Sequence, residues 1–221
     1  AVVLSAQHSS EDNFALVTFA KTLVGTKDLF VTGRPLGRGD DILMSEDKNP
    51  NTRGVVELCK DTPPRPFADL EAGIAQGIYA FALVLGAEVE IDAAEARAAL
   101  GKLKGVVTIA AHHGPLAQAA HVALPSCTWA EAEGTYVNRA GLAQRSERAL
   151  NPREDARPGW ELVARLARAL GYAMPWSKLS DVRKAMAREG IAGFVEAVPG
   201  PPPGEKGQAP PAGVDKPEAM A

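Results

Sequence analysis

The residues of this 221-residue chain best suited to chemistry are two adjacent histidines, His112 and His113, and two closely spaced carboxylates, Glu131 and Glu133. Imidazole nitrogens bind transition metals, and paired carboxylates serve as general acid and base. However, adjacent side chains point apart in extended or turn backbone, and no third ligand stands at a recognisable spacing from the histidines. The histidine pair is therefore interpreted as a polar loop at a strand end, and the glutamates as an exposed acidic loop without a catalytic role.

The other histidines and the cysteines give no stronger signal. His8 is interpreted as a loop residue, and His121 as a packed, hydrogen-bonded residue of an alanine-rich segment. Cys59 and Cys127 stand far apart and form no C-x-x-C motif, so this chain alone cannot assemble an iron–sulfur cluster or a structural zinc site. A Gly-x-Ser-x-Gly nucleophile elbow is also absent. The sequence thus predicts no catalytic residue and no metal site.

A glycine- and arginine-containing segment, Gly33 to Asp40, could cradle a phosphate with its backbone N–H groups. It matches neither G-x-G-x-x-G nor the Walker A pattern, and no clear helix follows it. A generic nucleotide-binding module that uses this segment stays open as an alternative. The longer stretch from Gly33 to Pro66 is rich in Gly, Pro, Asp and Asn and lacks periodicity, so it is predicted to be a long loop that docks a partner.

The elements that must position these residues alternate between apolar β-prone runs and segments with helical periodicity. The predicted strands are Val2–Leu4, Leu29–Thr32, Tyr79–Leu85, Val106–Ala110 and Val122–Leu124. The predicted helical segments are Glu11–Val24, Phe67–Gln76, Ala93–Lys102 and Leu116–Ala120, with Ser10 and Asp92 as N-caps. Such alternation predicts the α/β class, with a doubly wound, mostly parallel sheet and helices on both faces.

Further elements are predicted after the sheet. A β-hairpin extension is expected within residues 126–150, and helices within residues 157–190. The first of these helices, Arg157–Leu170, is predicted to turn five residues inward, namely Trp160, Leu162, Val163, Leu166 and Leu170. Residues 1–197 are expected to form one domain, and residues 198–221 a Pro/Gly-rich tail.

In a doubly wound sheet, ligands bind beyond the carboxyl ends of the strands. Two such ends are predicted here, Gly86-Ala87-Glu88 and Ala111-His112-His113-Gly114. They mark the edge of the sheet where a nucleotide would lie.

Five motifs, in order, resemble the molybdopterin oxidoreductases and the related large iron–sulfur subunit of NADH-quinone oxidoreductase. The most specific lies between Leu124 and Gln144, and its matching residues are Leu124, Pro125, Trp129, Glu131, Gly134, Thr135, Asn138, Gly141 and Gln144. The other four are Ser9–Leu16, Asp47–Gly54, Leu83–Glu88 and Arg157–Glu161. The resemblance extends over most of the chain up to about Gly171.

The resemblance implies a cofactor-free structural domain of the NADH-quinone oxidoreductase subunit in a bacterium. The iron–sulfur clusters are then expected in an amino-terminal part that this chain does not contain, and the partners are other subunits of a respiratory NADH dehydrogenase complex. Because Ala1 to Leu4 already reads as a buried strand, the chain is expected to be a piece of a larger subunit. The expected location is cytoplasmic, in the peripheral arm of an inner-membrane complex.

The alternative from the same resemblance is the pterin-binding half of a molybdenum or tungsten oxidoreductase, such as an NAD-linked formate dehydrogenase. Five residues would then line the nucleotide: Gly86, Glu88, His112, Thr135 and Asn138. The chain departs from cofactor-bearing relatives, which carry G-x-N-P at the first strand end. Here Glu88 places a carboxylate that would repel a diphosphate, and Ala110-Ala111 offers no polar side chain. Molybdopterin is expected only under this alternative.

Composition excludes other partners. The net charge of −3 gives no basic footprint for a phosphate backbone, so nucleic acid is not an expected partner. No run approaches the roughly 18 to 20 apolar residues needed to span a bilayer, so no direct membrane insertion is expected.

Overall fold

The computed structural model describes residues 1–40, 42–89 and 91–191, and its elements follow the predicted alternation. The strands are β1 Val2–Ser5, β2 Leu29–Thr32, β3 Arg65–Pro66, β4 Phe81–Leu85, β5 Gly105–Ala110, β6 Val122–Pro125, β7 Gly134–Val137 and β8 Ala143–Ser146. The helices are α1 Ser10–Phe19, α2 Thr52–Leu58, α3 Phe67–Ala75, α4 Ala93–Leu100, α5 Pro115–Ala119, α6 Gly159–Ala169 and α7 Leu179–Arg188. Residues 192–197 of the predicted domain and the predicted tail, 198–221, lie outside the described residues.

Six strands form one parallel sheet in the order β3-β2-β1-β4-β5-β6, and β7 and β8 form a separate antiparallel hairpin. The predicted α/β class, with a doubly wound sheet and a hairpin extension, is confirmed. The strand order reverses between β1 and β4, because the chain winds outward from β1 in one direction and from β4 in the other. A crevice opens at the carboxyl ends of these two neighbours, where such sheets bind ligands.

The four central strands β2, β1, β4 and β5 are mostly buried on both faces of the sheet, which explains why they read as continuous apolar runs. Along β1, Val2 and Leu4 face a core that includes Phe14 of α1 and Trp160 of α6. The intervening Val3 faces a second core, which is formed with helices α3, α4 and α5. Helices therefore cover both faces, as predicted.

Helix α1 is the central helix of the first layer, and all of its residues except Thr18 are buried. Its N-cap is Ser9, whose Oγ accepts a hydrogen bond from the Asp12 N–H at 3.1 Å, so the predicted cap at Ser10 was one residue late. Both serines suit a cap by type, but Ser9 has the extended backbone that the N-cap position requires. After Phe19 the helix widens into a π-helical turn, Ala20–Val24, which ends at Gly25 in the left-handed conformation (φ 70°).

Two further predictions need correction. The stretch from Gly33 to Pro66 is not loop throughout, since it contains helix α2 and the short strand β3. Helix α2 has only two turns, and it includes Gly54, a poor helix former, so its apolar period was too short to recognise. Leu170 was predicted to face inward, but it is 60% exposed because it lies at the C-cap of α6, beyond the last full turn.

Within the described residues, no helix is both long and apolar enough to cross a membrane.

Candidate functional site

The crevice between the ends of β1 and β4 contains a cavity of about 250 Å³. The β1–α1 connection contributes Gln7, His8 and Ser9, and the end of β4 contributes Gly86 to Glu88. His112 lines it from the loop after β5, and Trp129 from the segment before the hairpin. The predicted convergence of the β4 and β5 ends is therefore present, and the β1 end is a third contributor.

Carboxylates outnumber cationic side chains on the cavity wall. Asp12, Glu88 and Glu133 all line it, whereas Arg34 is the one Lys or Arg among its described lining residues. The imidazole Nε2 of His112 lies 2.8 Å from Glu88 Oε1, and a second His–carboxylate pair joins His8 Nδ1 to Asp12 Oδ2 at 3.5 Å. Both imidazoles are thus paired with carboxylates of the protein itself.

Two further groups at the crevice are held in their neutral forms. Burial, reinforced by the nearby carboxylates of Glu131 and Asp12, raises the pKa of the Cys127 thiol to about 11. Burial, followed by the charges of Asp12 and Glu11, also raises the pKa of the Tyr136 phenol. At neutral pH the cysteine is therefore a thiol, which is a poor metal ligand compared with a thiolate.

Beside the cavity, Glu11 of α1 is the centre of a buried polar network. Its side chain is fully buried and accepts three hydrogen bonds. Two come from Thr135, through its backbone N–H and its Oγ, each at 2.8 Å, and one comes from Arg183 Nε of α7 at 2.7 Å. One carboxylate therefore links the hairpin and helix α7 to α1.

Asn51 makes a second set of bonds between distant segments. Its amide is fully buried, accepts from the Val137 N–H at 2.8 Å and donates to the His8 carbonyl at 2.9 Å. Its Oδ1 also lies 3.3 Å from Ser10 Oγ. Asn51 thus connects the long β2–α2 loop, the hairpin and the start of α1.

Asp12 and Asn13 complete the network. Asp12 Oδ1 accepts from the Trp160 N–H at 2.7 Å, which joins α1 to the first turn of α6. The residue before Trp160 is Gly159, and a Cβ at this glycine would come within 2.9 Å of Asp12 Cγ, so the approach requires glycine. Asn13 bonds to both the N–H and the carbonyl of Ser5, at 2.9 Å each.

The structure brings three of the five candidate nucleotide residues together and places the other two elsewhere. Gly86, Glu88 and His112 line the crevice. Thr135 is bonded to Glu11 and does not line it, and Asn138 lies in the β7–β8 turn, where its Oδ1 accepts from the Leu142 N–H at 3.0 Å.

Two predicted environments were wrong. Glu131 is buried, because its Oε2 accepts from both the N–H and the Oγ of Thr128 at 2.9 Å each, and these bonds lower the pKa of its carboxyl. The T-x-x-E spacing of these two residues is the signal that could have revealed this. His121 is hydrogen-bonded, since its Nδ1 accepts from the Val106 N–H at 3.1 Å, but it is exposed and not packed.

The remaining candidates do not form sites in the described part of the chain. No group of three or more His, Cys, Asp or Glu side chains is placed to hold a metal ion among the described residues. In the Gly33–Asp40 segment, the backbone N–H of Gly37 donates to the Glu46 carbonyl and that of Asp40 to the Met44 carbonyl, each at 2.8 Å. These two N–H groups are hydrogen-bonded within the loop, so they are not free to bind a phosphate.

Arg34 and Trp129 are crevice residues that the sequence reasoning did not single out as candidate site residues. Arg34 lies shortly after β2 and lines the crevice. In the sequence it was noted only as one residue of the Gly33–Asp40 segment. Trp129 is 74% exposed. The sequence gives no sign of this exposure, because an isolated tryptophan in an apolar-rich chain could equally lie in the core.

Comparison with known proteins gives one consistent family. The family model of molybdopterin oxidoreductase matches residues 17–169, more than half of the chain. Over 73 residues the chain is 38% identical to the mitochondrial NADH-ubiquinone oxidoreductase 78 kDa subunit of Candida albicans, a match that covers 33% of this chain and 10% of that protein.

Two formate dehydrogenases are also similar. Formate dehydrogenase H of Escherichia coli is 26% identical over 132 residues, covering 58% of this chain and 18% of that protein. The F420-dependent formate dehydrogenase subunit alpha of Methanocaldococcus jannaschii is 35% identical over 68 residues, covering 30% and 10%. The matched segments thus span between 10% and 18% of the length of these curated relatives.

Proposed function

We propose a function from one premise: the chain belongs to the molybdopterin oxidoreductase family. Within that family, it is a cofactor-free structural domain of the large iron–sulfur subunit of a bacterial NADH-quinone oxidoreductase. Electron transfer from NADH to quinone is carried out by other segments, including iron–sulfur clusters in the amino-terminal part of the parent subunit. The domain holds neighbouring segments and subunits of the respiratory complex in place, on the cytoplasmic side of the membrane in the peripheral arm.

The observation that carries the proposal is that polar side chains from the family motifs are hydrogen-bonded to other parts of the protein. Glu11, Asn51 and Thr135 come from three separate motifs of the family resemblance, and their polar groups are bonded within the protein. A buried polar group is stabilising only when it is hydrogen-bonded, so these side chains have a structural reason to be present. These motif residues therefore support a framework role.

The chemistry of the crevice supports the same conclusion. A pterin dinucleotide carries a diphosphate, and three carboxylates against one arginine give that anion a repulsive wall. Burial raises the pKa of the Cys127 thiol, so formation of the thiolate that a metal ligand requires carries an added cost. Together, these residues argue against a bound pterin cofactor.

A second candidate function is the pterin-binding half of a molybdenum or tungsten oxidoreductase. It is favoured by the match to formate dehydrogenase H, which covers more of this chain than the match to the 78 kDa subunit. Under this function Gly86, Glu88 and His112 would contact the nucleotide. The same three residues would then be required for activity of the parent enzyme.

The experiment that separates the two functions is an activity assay of the native assembly that contains the full-length parent subunit. The proposal predicts NADH-dependent reduction of a quinone analogue and no formate-dependent reduction. It also predicts that Glu88→Ala leaves the NADH-dependent rate within twofold of wild type. Formate oxidation that is lost on the same substitution would overturn the proposal and establish the second function.

A further inference from the structure

A second cavity, of about 470 Å³, lies at the carboxyl ends of β2 and β3. Thr32 and Gly33 line it from the end of β2, and Pro66 lines it from β3. Arg34 lines both this cavity and the crevice, so it marks the boundary between them. We refer to the second cavity as the β2 cavity. It has no role in the proposed function.

The walls of the β2 cavity are largely apolar. Leu36 is 68% exposed, so it borders the opening to solvent, whereas Phe67 is buried at the start of α3. Further aliphatic side chains complete the wall, namely Val31, Val89 and Ile91. Ligand-binding cavities typically combine such a wall with a few polar groups that orient the ligand. The wall therefore suits the aliphatic body of a small molecule.

The charged groups of the β2 cavity favour a cation. Asp47 and Glu71 line it, and Arg34 is the one Lys or Arg among its described lining residues. On its other side, Arg34 meets the acidic wall of the crevice. Burial, followed by the charge of Glu95, raises the pKa of the Glu71 carboxyl. A cation inside the cavity would offset both effects.

A buried hydroxyl in the same cavity lacks a hydrogen-bond partner. Thr52 Oγ1 is buried and makes no hydrogen bond within the described structure, although it lies near the Asp47 carboxylate. A buried polar group without a partner is destabilising, and each such group in a native protein calls for an explanation. An N–H donor of a ligand would supply the missing bond.

The Asp47 carboxylate is held in place by Asn49. Its Oδ1 accepts from the Asn49 N–H at 2.9 Å and from Asn49 Nδ2 at 2.8 Å. Asn49 is fixed in turn, because its Oδ1 accepts from the Arg34 N–H at 2.7 Å. Such pre-organisation lowers the entropic cost of binding. Asp47 therefore has the defined position that a ligand-binding carboxylate requires.

Other classes of ligand match these groups less well. An anion such as phosphate would meet two acidic side chains. A neutral aliphatic molecule would cover the apolar wall but would leave Thr52 Oγ1 unpaired and bury the carboxylates without a compensating charge. A primary ammonium group supplies N–H donors and a positive charge, and an attached aliphatic body covers the apolar wall.

We propose that the β2 cavity binds a small organic ammonium ion with an aliphatic body. The ammonium group donates hydrogen bonds to the Asp47 carboxylate and to Thr52 Oγ1, and Glu71 adds a second negative charge. The aliphatic body packs against Phe67 and Leu36. This site goes beyond the proposed function and does not depend on it.

The direct test is a titration of the 221-residue chain with isoamylamine, followed by heteronuclear NMR. The expected result is saturable shifts of backbone amides that line the cavity, such as those of Gly33 and Phe67, with a dissociation constant of about 1 mM or tighter. Isoamyl alcohol has the same body without the charge and should bind at least about tenfold more weakly. Equal affinities of the amine and the alcohol, or no saturable binding below about 20 mM amine, would overturn the inference.

A lysine side chain carries the same head group, so a second probe distinguishes the two sources. Nα-acetyl-lysinamide should bind less tightly than isoamylamine, because the apolar wall cannot satisfy its peptide groups. Tighter binding of Nα-acetyl-lysinamide would assign the cavity to a protein side chain and overturn the inference.

A matched pair of variants tests the role of charge. Glu71→Gln should weaken isoamylamine binding roughly threefold or more, because it removes one of two negative charges from the wall. Asp69→Asn makes the same type of change at an exposed position of α3 that does not line the cavity, and it should change the affinity less than about 1.5-fold. Equal effects of the two substitutions would contradict the inference.

Thr52→Val replaces the unpaired hydroxyl with a methyl group of similar size. The variant should unfold at the wild-type temperature or above, because no hydrogen bond within the described structure is lost. It should nevertheless weaken isoamylamine binding roughly threefold or more, since the ammonium group loses an acceptor. An affinity equal to that of the wild type would show that Thr52 does not contact the ligand, and the inference would be wrong.

Discussion

Substitution of the buried carboxylate at the centre of the polar network, Glu11→Gln, tests the framework role most sharply. The change keeps the shape of the side chain but replaces one carboxylate oxygen with an NH₂ group, which cannot accept a hydrogen bond, so either the bond from the Thr135 N–H to Oε2 or the bond from Arg183 to Oε1 is lost. Arg183 then remains 18% exposed with a weakened partner. Removal of one member of a buried ion pair costs about 3 to 5 kcal/mol, and the residual exposure of Arg183 places this case near 3 kcal/mol.

Urea unfolding followed by circular dichroism measures the cost. With a slope of about 2 kcal/mol per M, a loss of about 3 kcal/mol lowers the midpoint by about 1.5 M. The matched control is Glu133→Gln, since Glu133 lies 3.5 Å from the same arginine but is 53% exposed. An exposed pair of this kind contributes less than about 1 kcal/mol, so the control midpoint should move by less than about 0.5 M.

A double-mutant cycle completes the test. Glu11→Gln and Arg183→Met remove the same interaction, so the double variant should lose at least about 1 kcal/mol less than the sum of the single variants. Additive losses, or a Glu11→Gln midpoint that shifts no further than the Glu133→Gln control, would refute the reasoning that this network fastens the hairpin and α7 to α1.

Three further predictions concern the same framework. Asn51→Ala leaves the buried Val137 N–H without an acceptor and should lower the free energy of unfolding by about 1 to 3 kcal/mol, measured by chemical denaturation; a loss below 0.5 kcal/mol would contradict the assigned bond. Ser9→Ala removes the N-cap of α1 and should cost about 1 kcal/mol, whereas Ser9→Gly should cost only a few tenths, a ranking that thermal denaturation can check. Burial raises the pKa of Cys59 and Cys127 to about 11, so both thiols should react slowly with a disulfide reagent at pH 8 in the folded protein, with the rate rising towards pH 11; rapid reaction at pH 8 without unfolding would be inconsistent with these environments.

The strands and most helices could be predicted from the sequence because their signals are local. Runs such as Val2–Leu4 and Val106–Ala110 are buried on both faces of the sheet, and continuous β-branched apolar runs of this length indicate parallel strands. The first strand end, Gly86 to Glu88, followed from the same rule, because ligand sites of these sheets lie at the carboxyl ends. The order of the strands is not local, so the contribution of the β1 end to the crevice was not predicted.

The environment of the polar side chains could not be predicted because it depends on long-range partners. Glu11 and Thr135 are 124 positions apart in the sequence. No periodic pattern predicts that Glu11 accepts two hydrogen bonds from Thr135. Thr135 was therefore placed at a ligand under one alternative, although its Oγ is used by the framework. Glu131 was predicted to be exposed from its residue type, whereas a local T-x-x-E turn satisfies its charge and permits burial.

The central claim, that this domain is a framework without a cofactor, is tested most directly by metal and pterin analysis of the native full-length subunit. Molybdenum, tungsten and iron are quantified by inductively coupled plasma mass spectrometry, and oxidised pterin is measured by fluorescence after denaturation. The expected result is iron in the subunit without molybdenum, tungsten or pterin. Stoichiometric molybdenum or tungsten together with pterin would contradict it and make this domain half of a catalytic site.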